Sequence, residues 1–154
     1  AALTVSAALL GGMQVKEGKS NDAYIDHLAV TKVVTICYGD TGGWRLGDHL
    51  SDQQCSGLLQ HKLNTVYAPI VRKYVTVPLT QGEFDALVDF VYNLGEGNFR
   101  TSTLLRKVNA GDSAGASAEF MRWYKTNGKD CRIRANRCYG IIERRVWETQ
   151  LFVS

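Results

Sequence analysis

Several features are scarce in this sequence, and each scarcity excludes a class of protein. Only Pro69 and Pro78 interrupt the 154 residues, and no low-complexity tract or internal repeat is present. A disordered tail-like chain and a repeat solenoid are therefore excluded. The uncharged stretch at residues 1–15 is shorter than the roughly 20 residues a membrane-spanning helix needs, and its Ala, Gly and Ser content makes it weakly hydrophobic. No CxxC pair occurs, and His27, His49 and His61 lie at no ligand-like spacing. A zinc site is disfavoured, and no metal or cofactor is implied. Around the cations at 129–137 only Tyr139 could stack on a base, which argues against nucleic acid as a partner. No cysteine precedes Cys37, so control by thiol exchange with the amino-terminal segment finds no support in these residues.

What is present fits one globular domain. The apolar fraction of 45% and charged fraction of 21% are ordinary, and the length allows one sizeable core. The net charge of +3 is unevenly placed. From residue 121 onward eight Lys/Arg face three Asp/Glu, with Lys129, Arg132, Arg134 and Arg137 clustered. A basic face attracts a polyanion over a distance. Peptidoglycan with its acidic peptides qualifies, and a solvated surface without a partner is the plain alternative. Four cysteines permit two disulfides in three pairings. The short polar loop between Cys131 and Cys138 favours a local bridge, which leaves Cys37 for Cys55; four reduced thiols are the alternative. Two bridges would imply an oxidising compartment such as the periplasm.

Hydrophobic spacing gives the elements. Glu17-Gly18 closes an Ala/Leu-rich segment, with Gly18 as the expected stop signal. Residues 23–26 alternate apolar and polar, and residues 33–38 open on four β-branched side chains, so both read as short strands. Capping boxes at Ser51-Asp52-Gln53-Gln54 and Thr80-Gln81-Gly82-Glu83 open two helices, the first limited by Pro69 and the second running to Gly95. Further helices are expected over 104–111, 114–124 and 141–151. Phe84, Phe90, Phe99 and Trp147 lie on apolar stripes and read as core; Trp123-Tyr124 could instead stack on a sugar. Asn93, Thr103 and Arg145 are polar candidates for cleft or structural roles.

The chemistry concentrates near the amino terminus. Glu17 is followed nine residues later by Asp26 and nine after that by Thr35. A proton donor, a second carboxylate and a hydroxyl that positions water are the groups glycosidic cleavage uses. Alone, such spacing is weak. The surrounding blocks make it specific: Glu17-Gly18, Ala23-Tyr24-Ile25-Asp26, Thr35-Ile36-Cys37-Tyr38-Gly39, Phe84-Asp85-Ala86-Leu87, Phe90-Val91-Tyr92-Asn93-Leu94-Gly95, Arg122-Trp123-Tyr124 and Glu143-Arg144-Arg145. In this order, over residues 12–152, the chain resembles the phage-type, T4-like lysozymes or endolysins. It departs from them in a longer loop at 28–34, which leaves Thr31 as an alternative to Thr35, and in Asp40, where the family often has His. Asp40 is thus a possible sharer of Asp26's role.

The resemblance implies an α+β, lysozyme-like fold: one domain over 1–154, with a cleft-forming lobe carrying a short antiparallel sheet (16–50) and a larger helical lobe (51–154). It implies a monomeric hydrolase for the β-1,4 bond between N-acetylmuramic acid and N-acetylglucosamine of peptidoglycan. Glu17 would be the general acid, Asp26 the ionised carboxylate and Thr35 the holder of the water. A lytic transglycosylase and a non-catalytic peptidoglycan-binding module are the alternatives. Residues 1–15 resemble the far half of a signal-arrest-release anchor, a segment that tethers the enzyme transiently to the inner membrane before release into the host periplasm. The missing initiator Met and basic flank fit the remainder of a longer segment; an ordinary core helix is the other reading.

Overall fold

The computed structural model describes residues 2–27 and 30–154; Leu28 and Ala29, the first residues of the longer loop, lie outside the described residues, as does Ala1. The fold is α+β, with a small sheet-bearing lobe set on a larger helical one. The small lobe is built on β1 (Ser20–Ile25) and β2 (Val34–Cys37), which pair antiparallel as Tyr24 with Thr35 and Ile25 with Val34. The register is irregular between Ser20 and Tyr24. Among the described residues the buried apolar cluster of this lobe is Ile36, Cys37 and Cys55, with Trp44, Leu50 and Leu58 packed around them. So small a core needs a staple, and the Cys37–Cys55 disulfide ties β2 to α2 (Asp52–Lys62). Such a bridge is typically worth about 2–4 kcal/mol.

The helical lobe is organised by α4 (Gln81–Leu94), capped as the sequence predicts: Thr80 accepts from the Glu83 amide while Glu83 accepts from the Thr80 amide. Every residue from Phe84 to Val91 is buried. A helix covered on all sides is a central one, and its two buried aspartates must find partners there. Asp85 takes Ser6 and Gln81, and Asp89 takes Arg144. Each thereby fastens α4 to another helix or to the segment that leads into one. Against α4 pack α3 (Ala68–Tyr74), α5 (Glu96–Arg100) and α8 (Gly140–Val153), while α6 (Thr103–Asn109) packs on α5 and on α7 (Ser113–Glu119), which in turn meets α8.

First in sequence, α1 (Ala7–Lys16) packs into the helical lobe's core through Leu9 and Met13, joined by Val5 just ahead of the helix. Burial of side chains of this size contributes roughly 1.5–3 kcal/mol each. Ser6 caps the helix by accepting from Leu9 N–H and is itself held by Asp85. Gly12 allows close approach to α8: a Cβ there would sit 2.1 Å from the Trp147 ring. Among the described residues no helix is long and apolar enough to cross a membrane.

Three elements differ from their sequence reading. The helix begun at Ser51 does not stop at Pro69 but continues to Tyr74 through a π-helical turn, Leu63–Tyr67. Proline would clash with the carbonyl four residues back, and the wider turn, with Ala68 N–H on Leu63 O, relieves it. Helix α1 ends not on a left-handed glycine but by leaving extended at Glu17 itself (φ −87°, ψ 140°). The helix expected over 114–124 stops at Glu119, and a 3-10 turn (Phe120–Arg122) leads into a second hairpin, β3 (Lys125–Thr126) and β4 (Lys129–Asp130). Its turn, Asn127-Gly128 with both φ positive (50° and 75°), is a strong hairpin signal that was there to be read. The second disulfide, Cys131–Cys138, closes the loop that follows.

Candidate active site

Glu17 caps the carboxyl end of α1, where the seating of that helix against α4 and α8 fixes it. Its carboxylate accepts a 2.8 Å hydrogen bond from Arg144 Nη1, while Arg144 Nε and Nη2 hold Asp89 at 2.9 and 2.7 Å. Asp89 has a fully buried side chain; Glu17 keeps a quarter of its side chain exposed. The arginine is thus shared, clamped in the core by one carboxylate and presenting its remaining arm to the other. Burial by itself would weaken the Arg144 cation, but these hydrogen bonds and charges raise its pKa. Tyr92 stands near the same group, its hydroxyl pushed up to about 12 by burial and by the charge of Glu17.

Glu17, Lys19, Tyr24, Tyr38 and Gly39 wall a cleft of about 490 Å³ between the β-hairpin and the end of α1. Tyr24 brings the other candidates into relation with it. Thr35 is its cross-strand partner, and Asp26 follows Ile25, the last residue of β1; neither is among the residues that wall the cleft. Asp26 is half-buried at the start of the loop. Thr35 is buried, and its hydroxyl donates to Val33 O at 3.2 Å. Thr31 is exposed.

Asp40 has different work. One carboxylate oxygen accepts from Trp44 Nε1 at 2.6 Å and from Gly42 N–H at 3.1 Å, and the other lies 3.5 Å from Lys62 Nζ. Burial would raise this carboxyl, but those bonds and the lysine bring it below its usual range. It ties the 40–44 loop to α2.

The match to known proteins is direct: the family described as phage lysozyme covers residues 14–148. The chain belongs to the phage lysozyme family. It is therefore a glycoside hydrolase that acts on peptidoglycan. The endolysin of Acyrthosiphon pisum secondary endosymbiont phage 1 is 41% identical over 122 residues, 78% of this chain and 80% of that protein. The SAR-endolysin of Enterobacteria phage PA-2 is 35% identical over 151 residues, 97% of this chain and 87% of that one. Among solved structures, a P22 lysozyme mutant superposes with a TM-score of 0.84 at 28% identity, covering 99% of this chain and 100% of the other.

Behind Glu17 this lysozyme buries a charge cluster that sequence patterning did not reveal. Arg145 and Glu148 have no exposed side-chain surface, and Arg145 Nε lies 2.7 Å from Glu148 Oε1, too far out of line for a hydrogen bond. Arg145 also donates to Asn93. Both polar residues singled out on these helices are therefore structural. Thr103 accepts from Arg106 on the surface, and Trp123 packs edge-on against Phe90 at 5.3 Å. Burial, with Asp89 beside it, holds the Glu148 carboxyl well above the usual glutamate range, and Arg145 only partly offsets this. Three carboxyl groups, Glu17, Asp89 and Glu148, thus share the cluster with two guanidinium groups, Arg144 and Arg145.

A consequence is pH-dependent stability. An acid raised in the fold binds its proton more tightly folded than unfolded. Its contribution is complete below the ordinary value of 4.5 and is lost as pH rises through the folded value. Glu148→Gln removes that titration at nearly the same side-chain volume. Followed by denaturant midpoints, the wild type should lose about 1 kcal/mol per pH unit relative to this variant as pH rises from about 5, levelling off above the folded value. Parallel profiles would mean that Glu148 is ionised in the core.

Proposed function

We propose that this lysozyme cleaves the β-1,4 bond between N-acetylmuramic acid and N-acetylglucosamine, with Glu17 as general acid, Asp26 as its carboxylate partner and Thr35 as the positioner of water. The observation that carries the reading is the placement of Glu17 on the wall of a cleft between the hairpin and the end of α1, braced from behind by Arg144. A glycan strand lying in the cleft passes its bridging oxygen by Glu17. The acid gives its proton to that oxygen as the anomeric C–O bond breaks. Asp26, acting as a carboxylate, stabilises the positive charge on the ring and takes a proton from the attacking water, whose oxygen joins the anomeric carbon. Thr35 has committed its hydrogen to Val33 O, so its oxygen is free to accept from that water.

The place of action follows from the substrate. Peptidoglycan lies beyond the inner membrane, and SAR-endolysin relatives match this chain over 97% of its length. We assign residues 1–15 the role of a transient inner-membrane tether that ends docked in the helical lobe, and the released enzyme works as a monomer in the host periplasm.

Mass spectrometry of digested sacculi tests the reaction. Hydrolysis of this bond adds one water and leaves N-acetylmuramic acid at the reducing end. Anhydro ends, one water lighter, would make the protein a transglycosylase, and N-acetylglucosamine at the reducing end would place the cut at the alternate linkage. No fragments at all would leave a binding module.

A further inference from the structure

A second hollow, of about 520 Å³, lies next to Glu17 and is not used by the chemistry above. Its walls include Val15 and Lys16 at the end of α1, Arg137 from the disulfide-closed loop, and Ile141, Glu143 and Arg144 of α8. Three cations face one acid. Arg144 belongs both to this hollow and to the support of Glu17, so the two adjoin. Its own charge is answered, however, since all three guanidinium nitrogens are spent on Glu17 and Asp89. Lys16 lies over the Trp147 ring, 4.2 Å from its centroid.

The basic cluster read from the sequence is sorted by the fold. Arg132 forks onto Asp130 and covers Tyr124 at 3.9 Å. Arg134 stacks on Tyr139 at 3.7 Å. Arg137 does neither. It is exposed, and among the described residues no carboxylate pairs with it. Its backbone is held in the left-handed region (φ 57°) by its N–H on Arg134 O, with the Cys131–Cys138 bridge one residue away. A short, doubly fixed loop thus presents one unpaired guanidinium to a hollow beside the acid.

We propose that this hollow is a binding site for a carboxylate of the peptide carried by the glycan strand, with Arg137 as its anchor. The inference rests on the peptidoglycan reading above. Muramic residues carry acidic peptides on their lactyl groups, so a glycan held at Glu17 presents such a carboxylate close by. A planar guanidinium matches a carboxylate with two parallel bonds, which a lysine at the same place would not. Lys16 adds charge, and Val15 and Ile141 give the peptide an apolar wall.

The test compares wild type, Arg137→Glu and Arg137→Gln on intact sacculi and on glycan strands stripped of peptide by an amidase, at 0.15 M salt (about the physiological strength). Arg134→Glu is the control, the same charge change in the same loop but outside the hollow. The expected result is a rise of about tenfold in KM on sacculi for Arg137→Glu with kcat unchanged, a smaller rise for Arg137→Gln, and wild-type behaviour for Arg134→Glu. On stripped strands all variants should match the wild type, whether that rate is high or negligible. Equal impairment by Arg134→Glu, equal impairment on stripped strands, or no change on sacculi would each overturn the site while leaving the hydrolase reading intact. A wild type inactive on both substrates would remove the hydrolase reading, and the site with it.

Discussion

Replacing Glu17 by Gln lowers the rate of peptidoglycan cleavage by roughly 10²–10⁴-fold, the usual worth of a general acid. The fold should hardly notice. Gln keeps a side-chain oxygen in place to accept from Arg144 Nη1, and the position is a helix end with a quarter of its side chain exposed, not a core site. We expect a stability loss within about 1 kcal/mol, or a melting temperature within about 4 °C of the wild type. Turbidity loss of permeabilised cells gives the rate and a thermal melt gives the fold. Activity retained at full level discards Glu17 as the acid. A melting temperature that collapses with the activity would make Glu17 a structural anion for Arg144 instead. Asp26→Asn probes the second carboxylate separately, and its loss of rate should come without a change in affinity for the glycan.

Arg144→Met should produce the largest loss of stability of any single change at the site. The arginine is nearly buried and answers two carboxylates, of which Asp89 has no exposed side-chain surface. Methionine fills much of the volume but leaves Asp89 charged in the core or forces a proton onto it. Breaking a buried pair in this way costs about 3–5 kcal/mol, and at about 2–4 °C per kcal/mol the melt should fall by roughly 6–20 °C. The double variant Arg144→Met, Asp89→Leu removes both charges and should recover a large part of that loss. Activity should not return with it, because Glu17 remains without its brace. A single variant that melts with the wild type would show that the cluster behind Glu17 contributes no stability; a double variant as fast as the wild type would show that Arg144 does not position the acid.

Much of this was legible in the residues, for identifiable reasons. The two capping boxes are legible because their bonds lie within one helical turn, where sequence and contact coincide. The buried centre at α4 followed from an apolar stripe bounded by a cap and Gly95. The bridge from Cys131 to Cys138 followed from a loop too short to serve another pairing as easily. The misreadings share one cause. Pro69 stops a helix that can only be α-helical, and here the backbone widened to a π turn instead. Tertiary packing also cut the helix after Glu119, so that Phe120 and Trp123 could pack against Phe90.

The sequence alone determined the family, through blocks such as Ala23-Tyr24-Ile25-Asp26 and Thr35-Ile36-Cys37-Tyr38-Gly39 whose order no unrelated chain would keep. It also marked Glu17 as the acid to test and the loop around Arg137 as basic. Only the tertiary structure decided what stands behind and beside that acid. Arg144 reaches Glu17 from 127 residues away, Asp89 reaches Arg144 from 55, and Arg132, Arg134 and Arg137, alike in sequence, are divided into paired and unpaired. Electrostatic interactions fall off with distance in space, not along the chain, and burial sets their strength. Neither quantity exists until the chain has folded.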